Sequence, residues 1–418
     1  MISELPPASE RQVYVGLAWD DTRAAQPAGL LKLLRQGVVE SGEFAYGRRY
    51  LARPDACALH PDQLPLRADA FPLPPRRLRD GGALPLTLRD ALPDSWGRRV
   101  LEARQGRAVD DIEALLLTNA DRVGAMVFSQ SLPLEPCEPP ATVHDLDALA
   151  AASRQLEEGA AITPALRELL GGGSLGGARP KATFFHGGNR HIAKFASRVD
   201  DCDMELVEAA TLDLAAACGI HVAGHLLQPL ARGHALLVRR FDRQGGVGAE
   251  RRLHFLSCSA VLDVPYASSD GSYVAFAQAL RRLSARPGDD LVELFRRMVF
   301  NLAVGNSDDH VKNHGMLFDR EGSAWLAPAF DLVPQFGGFA GYQELAILPG
   351  RRDASLALAL EAAPHFGLRP AKAGDIVDRT LGIVAEGARQ AVEARGGDTA
   401  LALRLQDFIA RRHQAIRA

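Results

Sequence analysis

Cysteine is scarce in this chain. The five residues (Cys57, Cys137, Cys202, Cys218, Cys258) are odd in number, scattered, and form no C-x-x-C pair. That excludes a disulfide framework and gives no zinc-ribbon spacing, so a reducing compartment, the cytoplasm, is expected. Long apolar runs are missing too: no uncharged apolar stretch reaches the roughly 18 residues that span a bilayer. The opening Met1-Ile2-Ser3-Glu4 has an early acid where an export signal would carry a basic and then an apolar segment. No membrane partner is expected. Neither charge dominates, since 48 Lys and Arg face 51 Asp and Glu for a formal net charge of -3, which gives no global attraction to nucleic acid. Internal repeats and low-complexity tails are also lacking.

What remains is a chain of 418 residues, 47% hydrophobic, with enough material for two or three cores. Residues 11 to 128 alternate short β-like runs, such as Val13-Tyr14-Val15-Gly16-Leu17, with Pro and Gly, and turn helical after Trp96. We read residues 1 to 128 as a small α+β module. Residues 129 to 142 hold four prolines and read as a linker. From 143 to 242 the pattern is a helix, a glycine cluster, then a β-rich lobe with one inserted helix, near Asp203 to Ala217. Residues 243 to 418 read as mainly helical, most clearly over Leu291 to Val304 and Ala371 to Arg395.

The densest polar cluster, Gly305-Asn306-Ser307-Asp308-Asp309-His310-Val311-Lys312-Asn313-His314, directly follows an apolar helix. Asp308 and Asn313 stand in D-x-x-x-x-N spacing, the relation of catalytic base to metal-binding Asn in a kinase loop. Asp331 follows after a short predicted strand, where a kinase places a second metal-binding carboxylate. Magnesium ions need oxygen ligands from separate elements, and Asn313 with Asp331 supplies them. Upstream, Ile192-Ala193-Lys194 ends a strand in the manner of V-A-I-K, and the next helix offers Glu208 or Glu205 to orient the lysine. Gly171-Gly172-Gly173-Ser174-Leu175-Gly176-Gly177 would bring backbone N–H groups close to phosphate.

Taken singly, each feature has a plainer reading. The glycines make a turn, Lys194 a solvated strand residue, Glu208 a surface acid, and Asp308 or Asp309 a helix cap. Their joint order selects a kinase. His310 and His314 at i, i+4 raise a zinc hydrolase as a rival, although the H-E-x-x-H glutamate is missing.

These residues resemble the HipA family of toxin kinases. The likeness runs from about residue 11 to the C-terminus, through Phe44-Ala45-Tyr46, Ala91-Leu92-Pro93-Asp94-Ser95-Trp96-Gly97-Arg98, Asp121-Arg122-Val123-Gly124-Ala125-Met126, Ser174 to Lys181, Arg240-Phe241-Asp242-Arg243, Asn306 to Asn313 and Phe330-Asp331. The resemblance implies an α+β chain: an N-terminal α+β module, then a two-lobed, protein-kinase-like fold with a helical C-terminal lobe. It implies an ATP-dependent Ser/Thr protein kinase with Asp308 as base and Asn313 and Asp331 as Mg²⁺ ligands. Lys194, Lys181, Glu208 and Lys312 would serve ATP binding, and Arg239 and Phe241 would offer backbone groups to adenine. Ser174 matches a serine that such kinases phosphorylate on themselves. A HipB-like helix-turn-helix antitoxin, operator DNA contacted mainly through it, and a protein substrate, often an aminoacyl-tRNA synthetase, complete the implied partners. The alternative is a catalytically weak kinase fold acting as a co-repressor. Asp309 departs from the family pattern, and a second acid beside the base is expected to raise the pKa of one of the two.

Overall fold

The computed structural model describes residues 9–20, 24–118, 121–134, 145–159, 178–246, 249–266, 268–337 and 341–417. Residues 171–177, with Ser174, lie outside the described residues, as does most of the proline-rich stretch read as a linker. Leu134, inside that stretch, is buried against Ala18, Ala25 and Val127.

The first module is built on an antiparallel sheet of five strands: β1 (Ser9–Leu17), β2 (Gln26–Gln36), β3 (Val39–Tyr46), β4 (Phe71–Arg77) and β5 (Met126–Ser129), in the order β4-β3-β2-β1-β5. Strand β5 returns from the far end of the module to pair with β1, so sequence position 129 still belongs to the sheet. Edge strand β4 carries Pro72, Pro74 and Pro75, which cannot donate to a further strand and so blunt the edge. Val13, Val15, Leu31, Leu33, Phe44 and Phe71 fill the core beneath. Helices α1 (Ser95–Gln105) and α2 (Asp111–Leu117) follow. The second opens on a capping box, in which the Asp110 carboxylate accepts from Glu113 N and the Glu113 carboxylate accepts from Asp110 N.

The next lobe carries β6 (Lys181–His186), β7 (Asn189–Lys194), β8 (His225–Pro229) and β9 (His234–Arg239) in the antiparallel order β6-β7-β9-β8. Helix α3 (Leu146–Glu157) covers one face through Leu149 and Ala150, against Phe184, Phe195 and Leu237. Helix α4 (Met204–Ala217) is capped by Asp203 and buried over most of its length. Short strands β10 (Arg243–Gln244) and β11 (Arg251–Arg252) pair with each other. Strands β12 (His254–Ser257), β13 (Gly315–Phe318) and β14 (Ala324–Leu326) form a small sheet of three.

Helices α5 (Cys258–Leu262), α6 (Tyr273–Leu283), α7 (Pro287–Val304), α8 (Leu356–Ala362), α9 (Pro370–Ala394) and α10 (Thr399–Arg417) make up the helical lobe that follows. Helix α7 is its axle. Pro287 sits in its first turn beside Asp289 and Asp290, which suit a helix start, and Leu294, Phe295, Met298, Phe300 and Val304 are buried on several sides. Gly305, at φ +69°, ends it in a left-handed turn that a side chain would strain. The polar loop 305–314 is thus launched from a rigid helix and lands on β13. Among the described residues no helix is long and apolar enough to cross a membrane.

Candidate active site

Strand β7 ends at Lys194, whose ammonium donates to Glu208 Oε1 at 2.6 Å and to Asp331 Oδ1 at 2.7 Å. Burial opposes charge on Lys194, but the Asp331 and Glu208 carboxylates outweigh it and hold the lysine above its ordinary pKa. Burial likewise opposes charge on Asp331, and the Lys194 and Lys181 cations hold its carboxyl well below the usual range. Glu208 is pushed upward by burial, with Lys194 working against the shift. The two glutamates offered by α4 are separated by their partners: Glu208 takes Lys194, whereas Glu205 faces Arg179 at 3.1 Å. Lys181 stands directly opposite Lys194 across the β6–β7 ladder. Burial and the neighbouring Lys194 charge bring its pKa down to about 8.

The two adjacent aspartates of the polar loop face opposite ways. Asp309 is buried, accepts from the Tyr273 hydroxyl and lies 2.8 Å from His314 Nε2. Asn301 Nδ2 donates to the Tyr273 hydroxyl at 3.0 Å. Asn306 Nδ2 then reaches Asn301 Oδ1 at 3.1 Å and the Asp331 carbonyl at 3.4 Å. A buried polar chain therefore ties Asp309 to the backbone of Asp331. Asp308 is exposed, and its carboxylate has no hydrogen-bond partner among the described residues. Partial desolvation raises its pKa, opposed by His310 and helped by Asp331, Glu344 and Asp309.

Asn313 donates through Nδ2 to the Asp308 carbonyl at 3.3 Å, which folds the loop back on itself. Asp331 Oδ2 has no hydrogen-bond partner among the described residues. These hard oxygens, the Asn313 amide and the Asp331 carboxylate, fit a magnesium ion. His310 and His314 do not share an ion. The loop is not helical, His314 turns to Asp309, and His310 packs edge-on against Tyr266 at 4.7 Å. Among the described residues no group of three or more His, Cys, Asp or Glu is arranged to hold a metal.

Beyond β9, Arg239 N donates to the Gly224 carbonyl at 2.7 Å. Phe241 is half-buried between Phe255 and Phe330, with ring centroids 5.8 and 5.3 Å away. Lys312 pairs with Asp94 of the first module.

Sequence reasoning missed the charge cluster at the junction of the modules. Arg240 meets Asp242 at 2.7 Å and the carbonyls of Asp121 and Arg122 at 3.1 and 2.9 Å. Asp242 also accepts from Gly124 N at 2.8 Å, and Arg190 meets Asp121 and Glu250 at 3.3 and 2.7 Å. Asp121-Arg122-Val123-Gly124 and Arg240-Phe241-Asp242-Arg243 were both visible as motifs, but nothing in the sequence indicated that they face each other.

Residues 23–129 match the HipA N-terminal domain and residues 173–388 the HipA-like C-terminal domain. Y4mE of Sinorhizobium fredii, named as a candidate kinase, is 37% identical over 150 residues, 34% of this chain and 34% of its own. Y4dM of the same organism, likewise named, is 26% identical over 209 residues, 49% of this chain and 48% of its own. The chain thus matches between a third and a half of the length of these curated relatives. The solved HipA of Shewanella oneidensis, determined with HipB and its operator DNA, has a TM-score of 0.67 at 19% identity over 97% of this chain and 96% of that one. At that identity the likeness establishes a common fold. With both domain matches in their proper order and the second covering over half the sequence, the chain belongs to the HipA family.

Proposed function

We propose that this protein is an ATP-dependent Ser/Thr protein kinase of the toxin type. The observation that carries the reading is the convergence of Lys194, Glu208 and Asp331 on one ion-paired cluster, with Asp308 solvent-facing on the adjoining loop. Such an arrangement suits phosphoryl transfer, in which positioning and charge stabilisation supply most of the rate. Magnesium, when bound by Asn313 and Asp331, offsets charge on the phosphates. Lys194, anchored by Glu208, contacts those phosphates, and Lys181 lies beside it. Phe241 presents its backbone to adenine and Arg239 its carbonyl, the Arg239 N–H being held by Gly224, with the Phe241 ring as part of the wall. Asp308 orients the acceptor hydroxyl and takes its proton, and its raised pKa strengthens it as a base. Asp309, committed to Tyr273 and His314, is excluded from that role.

The family membership, with a Shewanella HipA solved together with HipB and its operator DNA, supports a HipB-like antitoxin as partner, which we take to be a helix-turn-helix protein through which operator DNA is mainly reached. The substrate we assign is a protein of the translation machinery, an aminoacyl-tRNA synthetase among the candidates, met in the cytoplasm. Ser174 is the proposed site of self-phosphorylation.

The test is incubation of the pure chain with Mg²⁺ and labelled ATP beside Asp308→Ala and Ser174→Ala, with phosphate mapped by mass spectrometry. Label at Ser174 in the wild type and in neither variant is expected. A dephosphorylated, folded sample that neither binds ATP nor acquires label would move the assignment to a co-repressor without kinase activity.

A further inference from the structure

Helix α1 begins at Asp94, a residue type that normally caps a helix by accepting from a backbone N–H in the first turn. Asp110, Asp145 and Asp203 do so at the starts of α2, α3 and α4. The Asp94 carboxylate makes no such cap bond. It reaches across the junction to Lys312, which lies between Asp308 and Asn313, and the pair is about three-quarters buried, with side-chain exposures of 26% and 29%.

Two further contacts from the same short stretch reach the same site. The Asp90 carboxylate accepts from both the backbone N–H and the hydroxyl of Ser257. The next two residues, Cys258 and Ser259, donate their backbone N–H groups to the carbonyls of His314 and Val311 at 2.8 and 3.1 Å. Asp90 therefore braces the residues on which the far end of the polar loop rests. Trp96 Nε1 donates to the Lys181 carbonyl at 2.8 Å, on the strand directly opposite Lys194. Seven consecutive residues of the first module thus hold the loop of Asp308, its support, and the strand beside the phosphate-binding lysine.

From this geometry we infer that Asp94 is a positioning residue acting through Lys312, and that the N-terminal module completes the phosphotransfer site by holding the Asp308 loop in place. This rests on the kinase reading above for its catalytic consequence but not for its structural one. A local capping bond is given up for a contact 218 residues away, the kind of exception that sequences make at functional positions.

The test uses the full chain with Asp94→Asn, which keeps a good capping residue but removes the charge, and Asp94→Glu, which keeps the charge. Misplacing a reacting group by an ångström costs on the order of a hundredfold in rate. Asp94→Asn is therefore expected to lower kcat by at least about tenfold, leaving KM for ATP near the wild-type value, with Asp94→Glu recovering most of the loss. Amide hydrogen exchange in residues 305–314 is expected to quicken in Asp94→Asn while helix Pro287–Val304 stays protected. Lys312→Gln, cutting the same bridge from the other side, should give the same exchange pattern and serves if Asp94→Asn does not fold. Unchanged exchange in the loop overturns the inference whatever the rate does, and faster exchange with wild-type kcat overturns it as well. A wild-type chain without Asp308-dependent transfer sinks the kinase reading, and the exchange comparison then still decides whether Asp94 holds the loop.

Discussion

Two clusters of buried charge share strand β7, one through Arg190 near its start and one through Lys194 at its end, and they are finished to different degrees. At the module junction Asp121, Arg190, Arg240, Asp242, Arg243 and Glu250 all have side chains no more than 3% exposed. Each of the three acids there meets at least one guanidinium, and backbone carbonyls take up further arginine N–H groups. Around Lys194 the pairing is incomplete by comparison, since Asp331 keeps one oxygen unpartnered and Asp308 has no hydrogen-bond partner among the described residues. Ion-paired charge sealed from solvent, where Arg243 Nε and Glu250 Oε2 lack a hydrogen bond but stand among opposite charges, fixes the docking of two modules, whereas unanswered charge at an accessible site is available to a ligand.

The comparison breaks first if Asp308 behaves as an ordinary surface acid. Asp308→Ala is expected to cut phosphotransfer by about 10²–10⁴-fold with no change in the unfolding midpoint, measured by single-turnover labelling beside thermal melts. At the junction the balance is reversed. Asp242→Ala strands two buried arginines and is expected to cost about 3–5 kcal/mol in denaturant unfolding, with activity lost only as the fold is lost. A stable Asp242→Ala chain would mean that the junction is ornamental.

The pH response separates the clusters further. As the proposed base Asp308 has to be deprotonated, and its pKa is raised, so the acid limb of kcat/KM against pH should lie above the roughly 3.9 of an ordinary aspartate. A limb at the ordinary value would place the base elsewhere. Stability follows other groups. Burial holds His60 and His254 neutral, with pKa values down to about 4. Between that value and the ordinary 6.5 the unfolded chain binds the extra protons, so folding stability should decline as pH falls through this window, by about 1–3 kcal/mol per group. His254→Gln should flatten the slope. The smallest effect belongs to the exposed Arg404–Asp201 pair, where Asp201→Asn should leave the melting midpoint unchanged.

Much of this was legible in the sequence where the information is local. Apolar spacing placed α7 and α9 to within a few residues, because their buried faces recur at helical period. The D-x-x-x-x-N spacing singled out Asp308, and it is Asp308 rather than Asp309 that faces solvent. What local pattern could not convey was direction and distance. Asp308 and Asp309 are identical in the sequence, and only the packing of Tyr273 and His314 distinguishes them. Lys312 reads as another cation near phosphate, and nothing local in the sequence indicates that Asp94, on another module, pairs with it. The choice of Glu208 over Glu205 follows from which side of α4 meets β7, and both residues are buried, so amphipathic patterning had nothing to sort.

Asp331 is held at φ +58°, a left-handed conformation that glycine, asparagine and aspartate enter far more readily than other residues. The position therefore passes two independent filters. The backbone admits a short alphabet of three, and the anionic partner that Lys194 requires leaves one letter of it. Alanine at this position would confound a lost ligand with a strained turn, whereas asparagine keeps the turn and removes only the charge, so Asp331→Asn is the substitution that isolates the chemistry.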